Sequence, residues 1–279
     1  MKFATLKNGR PVAIDDDGMV PLKELEFNGS MLEFIQADKS IQDILEKEFK
    51  KANKKSLDDV EFDAPYRNPS KIIAIGLNYV DHASESKMEL PKNPLVFTKF
   101  PSSIISATDT ILIPEKLTDE VDFEVELGVI IGKRAKNVSK EDALSHVFGY
   151  TVLNDISARD LQFEDKQWVR AKSLDTFCPF GPVIVTADEI EDPQNLHLTC
   201  SVNDKTLQDD NTKNMIFGVA DLISQVSTYF TLEPGDLIAS GTPSGVGFSR
   251  KPPIFIKPGD TVTTKIEGIG TLVNPVDKI

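Results

Sequence analysis

The stretch Val121-Asp122-Phe123-Glu124-Val125-Glu126-Leu127-Gly128-Val129-Ile130-Ile131-Gly132 limits what this chain can fold into. Val121, Phe123, Val125 and Leu127 are apolar and alternate with Asp122, Glu124 and Glu126. A period of two belongs to a β-strand and not to a helix. One face must therefore enter a core, while the other carries three carboxylates spaced about 6–7 Å apart along the strand. From Leu127 the run is almost wholly apolar, so the strand continues into deep burial. The like charges gain nothing from one another. Two environments resolve them: solvent around an acidic strand face, or a hard divalent cation that takes carboxylate oxygens.

The rest of the composition narrows the partners. A formal net charge of −13, from 31 basic and 44 acidic residues, argues against nucleic acid or an anionic membrane, both of which need a basic surface. No apolar run reaches the roughly 18 residues of a membrane span. The opening Met-Lys-Phe-Ala-Thr-Leu-Lys-Asn-Gly-Arg lacks the apolar centre of a secretory signal. Cys178 and Cys200 form no close-spaced motif and suit a reducing compartment. A cytoplasmic protein is expected. The 3 histidines are too few for a His-rich metal site, so any metal is held mainly by oxygen, which favours Mg²⁺ or Mn²⁺ over Zn²⁺.

The 279 residues allow one large domain, or a medium one with a small appendage. Residues 2–6 and 11–15 read as strands around an Asn8-Gly9 turn. Residues 31–52 read as a helix in two pieces, with apolar residues at 3–4 spacing. Ala64-Pro65-Tyr66-Arg67-Asn68-Pro69 reads as a linker. The expected organisation is a small N-terminal domain over 1–66 and a catalytic domain over 67–279.

Beyond the linker, candidate chemistry gathers at the ends of elements. Residues 71–76 form an apolar strand, after which His82 and Glu85 share a helix face at i, i+3. A carboxylate beside an imidazole orients the ring and raises its basicity, as a general base requires; a surface ion pair is the plainer alternative. Lys99 lies inside the strand 95–100 and could reach a site, though a solvated edge lysine is the plainer reading. Asp155 sits where the strand 147–153 stops, a place for a functional side chain or a helix cap, and Arg159 and Gln162 follow at helical spacing. Lys172 stands among small residues, where an inward ammonium is possible. Residues 169–182 are rich in turn formers. Residues 215–230 carry a helical apolar stripe. The loop Gly241-Thr242-Pro243-Ser244-Gly245-Val246-Gly247 offers N–H groups to an anion but lacks the Gly-Lys-Ser/Thr ending of a P-loop. His146 and His197 read as structural.

Taken in order, these pieces resemble the fumarylacetoacetate hydrolase superfamily. They are Gly76-Leu77-Asn78-Tyr79-x-x-His82-x-x-Glu85, Glu124-x-Glu126-Leu127, Asn154-Asp155-x-Ser157-Ala158-Arg159-Asp160-x-Gln162, Ala171-Lys172-Ser173, and Gly241-Thr242-Pro243-x-Gly245-Val246-Gly247. The resemblance covers residues 66–276 and is narrower to the acylpyruvate hydrolase and isomerase/decarboxylase branch. It implies an α+β fold, mostly β, with mixed rolled sheets, and usually a homodimer. It implies Mg²⁺ or Mn²⁺ on Glu124, Glu126 and Asp155, a water-activating dyad of His82 and Glu85, and Lys172 facing a substrate oxyanion. Arg159, Gln162 and Thr242 match substrate-contacting positions. Asp122 matches no ligand and reads as a supporting or solvent-facing group. Some members have Arg where this chain has Leu77, and the extra aspartate ligand of the long-chain hydrolases has no counterpart here.

The function expected from the resemblance is hydrolysis of a C–C bond in a 2,4-dioxo acid, of acylpyruvate or fumarylpyruvate type, through a metal-bound pyruvate enolate. Oxaloacetate decarboxylation and hydroxymuconate-type isomerisation use the same enolate and stand as alternatives. A sugar-acid dehydratase or a non-catalytic metal-binding protein stands behind them.

Overall fold

A computed structural model describes residues 1–279, the side chain of Asp165 excepted. The strand expected across 121–132 is divided in two. Val121–Asp122 pairs with Ser157–Ala158, and Val125–Ile131 pairs with Val147–Asn154 on one side and Leu237–Ala239 on the other. Phe123 and Glu124 bridge the change of partner. There, side-chain amides replace the ladder: Glu124 N–H donates to Asn154 Oδ1 (2.9 Å) and Val125 N–H to Gln208 Oε1 (2.9 Å). The alternation itself holds. Val121, Phe123, Val125, Leu127, Val129 and Ile131 all enter one core cluster, while Ile130 enters a second on the opposite face. Glu126 shares the even face with Ile130, at the end where the site lies.

The fold is α+β and mostly β. Among the described residues the largest sheet has 11 strands. Its path runs Gly18–Pro21, Pro11–Asp15, Lys2–Leu6, Cys178–Thr186, Val147–Asn154, Val125–Ile131, Leu237–Ala239, Ile72–Gly76, Leu95–Lys99. Along this path neighbours are antiparallel except Leu237–Ala239 with Ile72–Gly76; off it, Phe62–Asp63 pairs antiparallel with Lys2–Leu6 and Ile104–Ile105 pairs parallel with Cys178–Thr186. A second sheet of 5 strands contains Lys205–Asn211, His197–Val202, Thr261–Ile266, Gly270–Lys278 and Ile111–Ile113. Leu198, Cys200, Val262, Leu272 and Val276 of this sheet meet the odd face of Val125–Ile131, together with Leu222, Ile223 and Val226 of the helix Val219–Tyr229.

The first 66 residues extend the large sheet at one edge. Lys2, Phe3 and Ala4 pair with Val185, Ile184 and Val183. The helices Met31–Gln36 and Lys39–Phe49 appear in the two expected pieces, and Phe34, Ile35, Leu45 and Phe49 pack with Phe148, Phe180 and Ile184. The rings of Phe3 and Phe34 lie 4.8 Å apart, and Phe34 meets Phe148 edge-on at 6.1 Å.

Two elements differ from the sequence reading. The turn-rich segment before residue 183 is part of a nine-residue strand, Cys178–Thr186, that includes Pro179, Gly181 and Pro182. Its ladder with Val147–Asn154 shifts register between Tyr150 and Val152, opposite this Gly-Pro step, so the missing proline donor leaves no gap. The helix expected from 215 starts at Val219 because Asn78 holds the preceding residues extended: its carbonyl accepts from Ile216 (2.7 Å), and its side chain bonds Phe217 N–H (2.9 Å) and carbonyl (3.0 Å).

Candidate active site

Glu124 and Glu126 leave the large sheet at one end of the acidic strand. Asp155 leaves it one residue after the strand Val147–Asn154, with its N–H on the Glu124 carbonyl (2.9 Å). Adjacent strands thus bring the three carboxylates together, with oxygens all within 4.8 Å of one another and all buried. Of the sequence-identified residues, His82, Glu124, Glu126, Arg159, Gln162, Lys172 and Thr242 line one narrow cleft. Glu85 lies behind His82, and Asp155 behind Lys172.

The cluster carries its own counterions. Lys172 ends the short helix Trp168–Lys172, and its Nζ donates to Glu124 Oε2 (2.8 Å), Asp155 Oδ2 (2.8 Å) and Ser157 Oγ (2.6 Å). Arg159 is 2% exposed and opens the helix Arg159–Asp165. Its Nε donates to Asp122 Oδ2 (2.8 Å), Nη1 to Gln162 Oε1 (2.8 Å) and Nη2 to Glu124 Oε1 (2.7 Å), with the guanidinium 4.4 Å from the centre of the Phe248 ring. Burial works against charge on both cations, but Asp155 and Glu124 keep Lys172 above its ordinary pKa, and Asp122 and Glu124 do the same for Arg159. Both are fixed positive charges. Burial likewise opposes ionisation of Glu124, yet Lys172, Arg159 and His82 hold it down at about 2.

Glu126 is different. Its Oε2 accepts the Gly241 N–H (3.0 Å), and among the described residues no lysine, arginine or histidine pairs with it. Burial first, then Asp155 and Glu124, push its carboxyl well above the ordinary range. A buried carboxylate short of a cation, beside two others, fits a hard divalent cation. The donors are all oxygen, as such an ion prefers.

Opposite the carboxylates, the helix Val80–Glu85 carries His82 and Glu85 on one face. His82 Nδ1 meets Glu85 Oε1 at 2.9 Å. Glu85 also accepts Gly245 N–H (3.0 Å to Oε2) and the Ser249 hydroxyl (2.9 Å). Burial raises the Glu85 pKa, but His82, Gly245 and Ser249 together hold it below the ordinary value. It stays anionic, keeps the imidazole proton on Nδ1, and leaves Nε2 as the basic nitrogen.

The glycine loop is built for carboxylates of the chain itself. Gly241, Gly245 and Gly247 donate to Glu126, Glu85 and Asp122. Gly245 has φ +102°, where a side chain is strained, and a Cβ on Gly247 would strike the Ile254 carbonyl. Thr242 Oγ1 accepts from Gln208 Nε2 (2.8 Å).

Two features escaped the sequence reading, and a third was left open by it. Lys99, expected as a solvated edge lysine, is 1% exposed, and its Nζ bonds Asp155 Oδ1 (2.6 Å) and the carbonyls of Ile156 and Lys172. A lone charge in an otherwise apolar strand was its signal. Asp122 takes the supporting one of its two readings: fully buried, it accepts from Arg159, which also holds Glu124, and from Gly247 (2.7 Å) and Phe248 (3.0 Å). Its place on the alternating face pointed there. Phe97, Trp168 and Phe248 give the cleft aromatic walls, for which the sequence carried no local signal.

Residues 71–277 match the family described as fumarylacetoacetate (FAA) hydrolase C-terminal. This chain belongs to the fumarylacetoacetate hydrolase family. It is an enzyme of that family, among hydrolase, isomerase and oxaloacetate-converting relatives. It is 51% identical over 215 residues to oxaloacetate tautomerase fahd2, mitochondrial, of Xenopus laevis, covering 76% of this chain and 67% of that protein. It is 48% identical over 220 residues to human oxaloacetate tautomerase FAHD2A, mitochondrial, covering 78% and 70%. Among solved structures, fumarylacetoacetate hydrolase from psychrophilic Exiguobacterium antarcticum aligns over 100% of both chains, with TM-score 0.86 and 37% identity. Maleylpyruvate hydrolase from Sphingobium sp. SYK-6, in complex with manganese(II) and pyruvate, aligns over 100% of this chain and 99% of that one, with TM-score 0.85 and 31% identity. Among the described residues no helix is long and apolar enough to cross a membrane.

Proposed function

We propose that this enzyme interconverts the keto and enol forms of a small 2-oxo acid, with oxaloacetate as the foremost substrate, and uses Mg²⁺ or Mn²⁺ held by Glu124, Glu126 and Asp155. The observation that carries the reading is the His82–Glu85 pair, joined at 2.9 Å, in the same cleft as the three-carboxylate cluster. The 51% identity to an oxaloacetate tautomerase supports the choice of reaction. When bound, the cation supplies Lewis acidity to the oxygens of the 2-oxo acid head.

The chain's own residues do the rest. His82 Nε2 takes a proton from C3, next to the 2-oxo carbon; the enolate oxygen that forms is then protonated, by the imidazolium or by water, to give the enol, and the reverse sequence restores the keto form. Glu85, held ionised, keeps the ring oriented and stabilises the imidazolium that forms. Lys172 and Arg159 remain charged and favour negative charge developing on the substrate oxygen. Gln162 and Thr242 line the cleft as substrate contacts. The aromatic walls exclude water, which suits proton transfer between carbon and nitrogen.

Hydrolysis of a 2,4-dioxo acid is a second reading. It is favoured by the likeness to maleylpyruvate hydrolase. There His82 would take a proton from water attacking C4, and the C3–C4 bond would break with a proton returning to C3. The proposal includes a cytoplasmic homodimer acting on a small molecule. The net charge of −13 supports this over a nucleic-acid or membrane partner.

The test follows oxaloacetate enolisation with Mg²⁺ or Mn²⁺, and after chelation, in the wild type, His82→Ala and Glu126→Gln. Catalysis is expected with metal only. His82→Ala should lower the rate about 100-fold or more, as expected for a general base. Full activity under chelation, or in either variant, would overturn the reading. Faster turnover of an acylpyruvate than of oxaloacetate would favour hydrolysis.

A further inference from the structure

One polar group in the cleft has no role in the reaction above. Ser86 follows the helix Val80–Glu85 and stands four residues after His82, so the two side chains leave the same face. Its N–H is bonded to the His82 carbonyl (3.1 Å). The residue lines the cleft, and its hydroxyl is buried with no hydrogen-bond partner among the described residues. Nearby Ser84 turns its hydroxyl back onto the Val80 carbonyl (3.0 Å), and Ser86 does not do the equivalent. A buried hydroxyl left unpaired is uncommon, and at the wall of a binding cleft it marks a place for a ligand atom.

The other donors in the cleft define which atom that is. All three nitrogens of Arg159 already donate to protein acceptors, and Lys172 Nζ donates to three. Gln162 Oε1 takes Arg159, which turns its amide NH₂ away from the guanidinium. Leu77, Met88, Phe163, Trp168 and Phe248 complete the wall beyond His82. The head of a 2-oxo acid belongs at the carboxylate cluster, and His82 acts at C3. The next atom outward is C4, and the next donor along the same helix face is Ser86.

We propose that the Ser86 hydroxyl donates a hydrogen bond to the oxygen on C4 of the substrate and so selects 2-oxo acids that carry an oxygen there. The inference rests on the proposed reaction for the direction in which substrate lies. It applies to a C4 carboxylate and to a C4 ketone alike.

Trp168 is the one tryptophan of the chain and lines this cleft, so its fluorescence reports binding. With Mg²⁺ present, dissociation constants are measured for oxaloacetate and for pyruvate, whose chain stops at C3. Wild type, Ser86→Ala and Ser86→Thr are compared. Ser86→Ala should weaken oxaloacetate about tenfold and pyruvate less than about twofold, and Ser86→Thr should restore most of the loss. No change for oxaloacetate, or equal loss for both ligands, would overturn the proposal. If the wild type binds both ligands without enolising oxaloacetate, the proposed reaction falls, and the ratio of the two constants still decides the role of Ser86.

Discussion

Glu85 lies among three donors: the His82 ring, the Gly245 N–H and the Ser249 hydroxyl. Together they favour its ionised form over the pull of burial, so its pKa is lower folded than unfolded. A carboxylate with a depressed pKa contributes stability that is fully present above its unfolded value and is lost as pH falls through the folded one. Glu85→Gln keeps the shape and removes that charge. At neutral pH it should cost about 1–2 kcal/mol of unfolding free energy, the scale of a charged hydrogen bond. The gap between wild type and variant should narrow as pH drops below the ordinary carboxylate range. Urea titrations over a pH series measure this, and a gap independent of pH would mean that Glu85 is held by shape alone. At this scale the sequence revealed the residues whose neighbours are local. His82 and Glu85 are one turn apart, and Glu124 and Glu126 share a strand face. Lys99 and Asp122 were harder because their partners are distant in sequence: Asp155 is 56 residues from Lys99, and Gly247 is 125 from Asp122.

Elements made visible by apolar periodicity were readable, and those made by tertiary pairing were not. Ile72–Gly76 is an apolar run buried at every position. Residues 178–182, with two prolines and a glycine, look like turns and extend the strand only because Val147–Asn154 and Ile104–Ile105 hold them. The meeting of elements also decides the shape of the cleft. Ile72–Gly76 ends against the helix Trp168–Lys172, and a Cβ on Gly76 would overlap the Trp168 ring. That indole packs edge-on against Phe97 at 5.4 Å, and the Phe97 ring lies 5.3 Å from Lys172 Nζ. Gly76→Ala therefore acts on the cleft without touching a charge. It should displace the indole, cost about 1–3 kcal/mol by overpacking, and shift the tryptophan emission toward that of an exposed ring. Fluorescence spectra with denaturant titration check both parts. An unchanged emission maximum would show that the helix can move aside without opening the wall.

Across the whole molecule, the N-terminal 66 residues raise the question of independence. Composition and the prolines near residue 66 suggested a separate small domain. We propose instead that this lobe folds with the rest. Lys2–Leu6 covers one edge of Cys178–Thr186, and Phe34, Ile35, Leu45 and Phe49 bury Phe148, Phe180 and Ile184. The same Cys178–Thr186 strand pairs on its other side with Val147–Asn154, whose end precedes Asp155. Removing the lobe would leave an unpaired strand edge next to exposed aromatic rings, a template for association between chains. A fragment of residues 67–279 should therefore aggregate, or remain soluble only with weakened cation binding. Purification of that fragment, size-exclusion chromatography and Mg²⁺ calorimetry test this. A monodisperse fragment that binds Mg²⁺ as the full chain does would establish residue 66 as a true boundary, with the N-terminal lobe as a separate attachment to a self-sufficient catalytic domain.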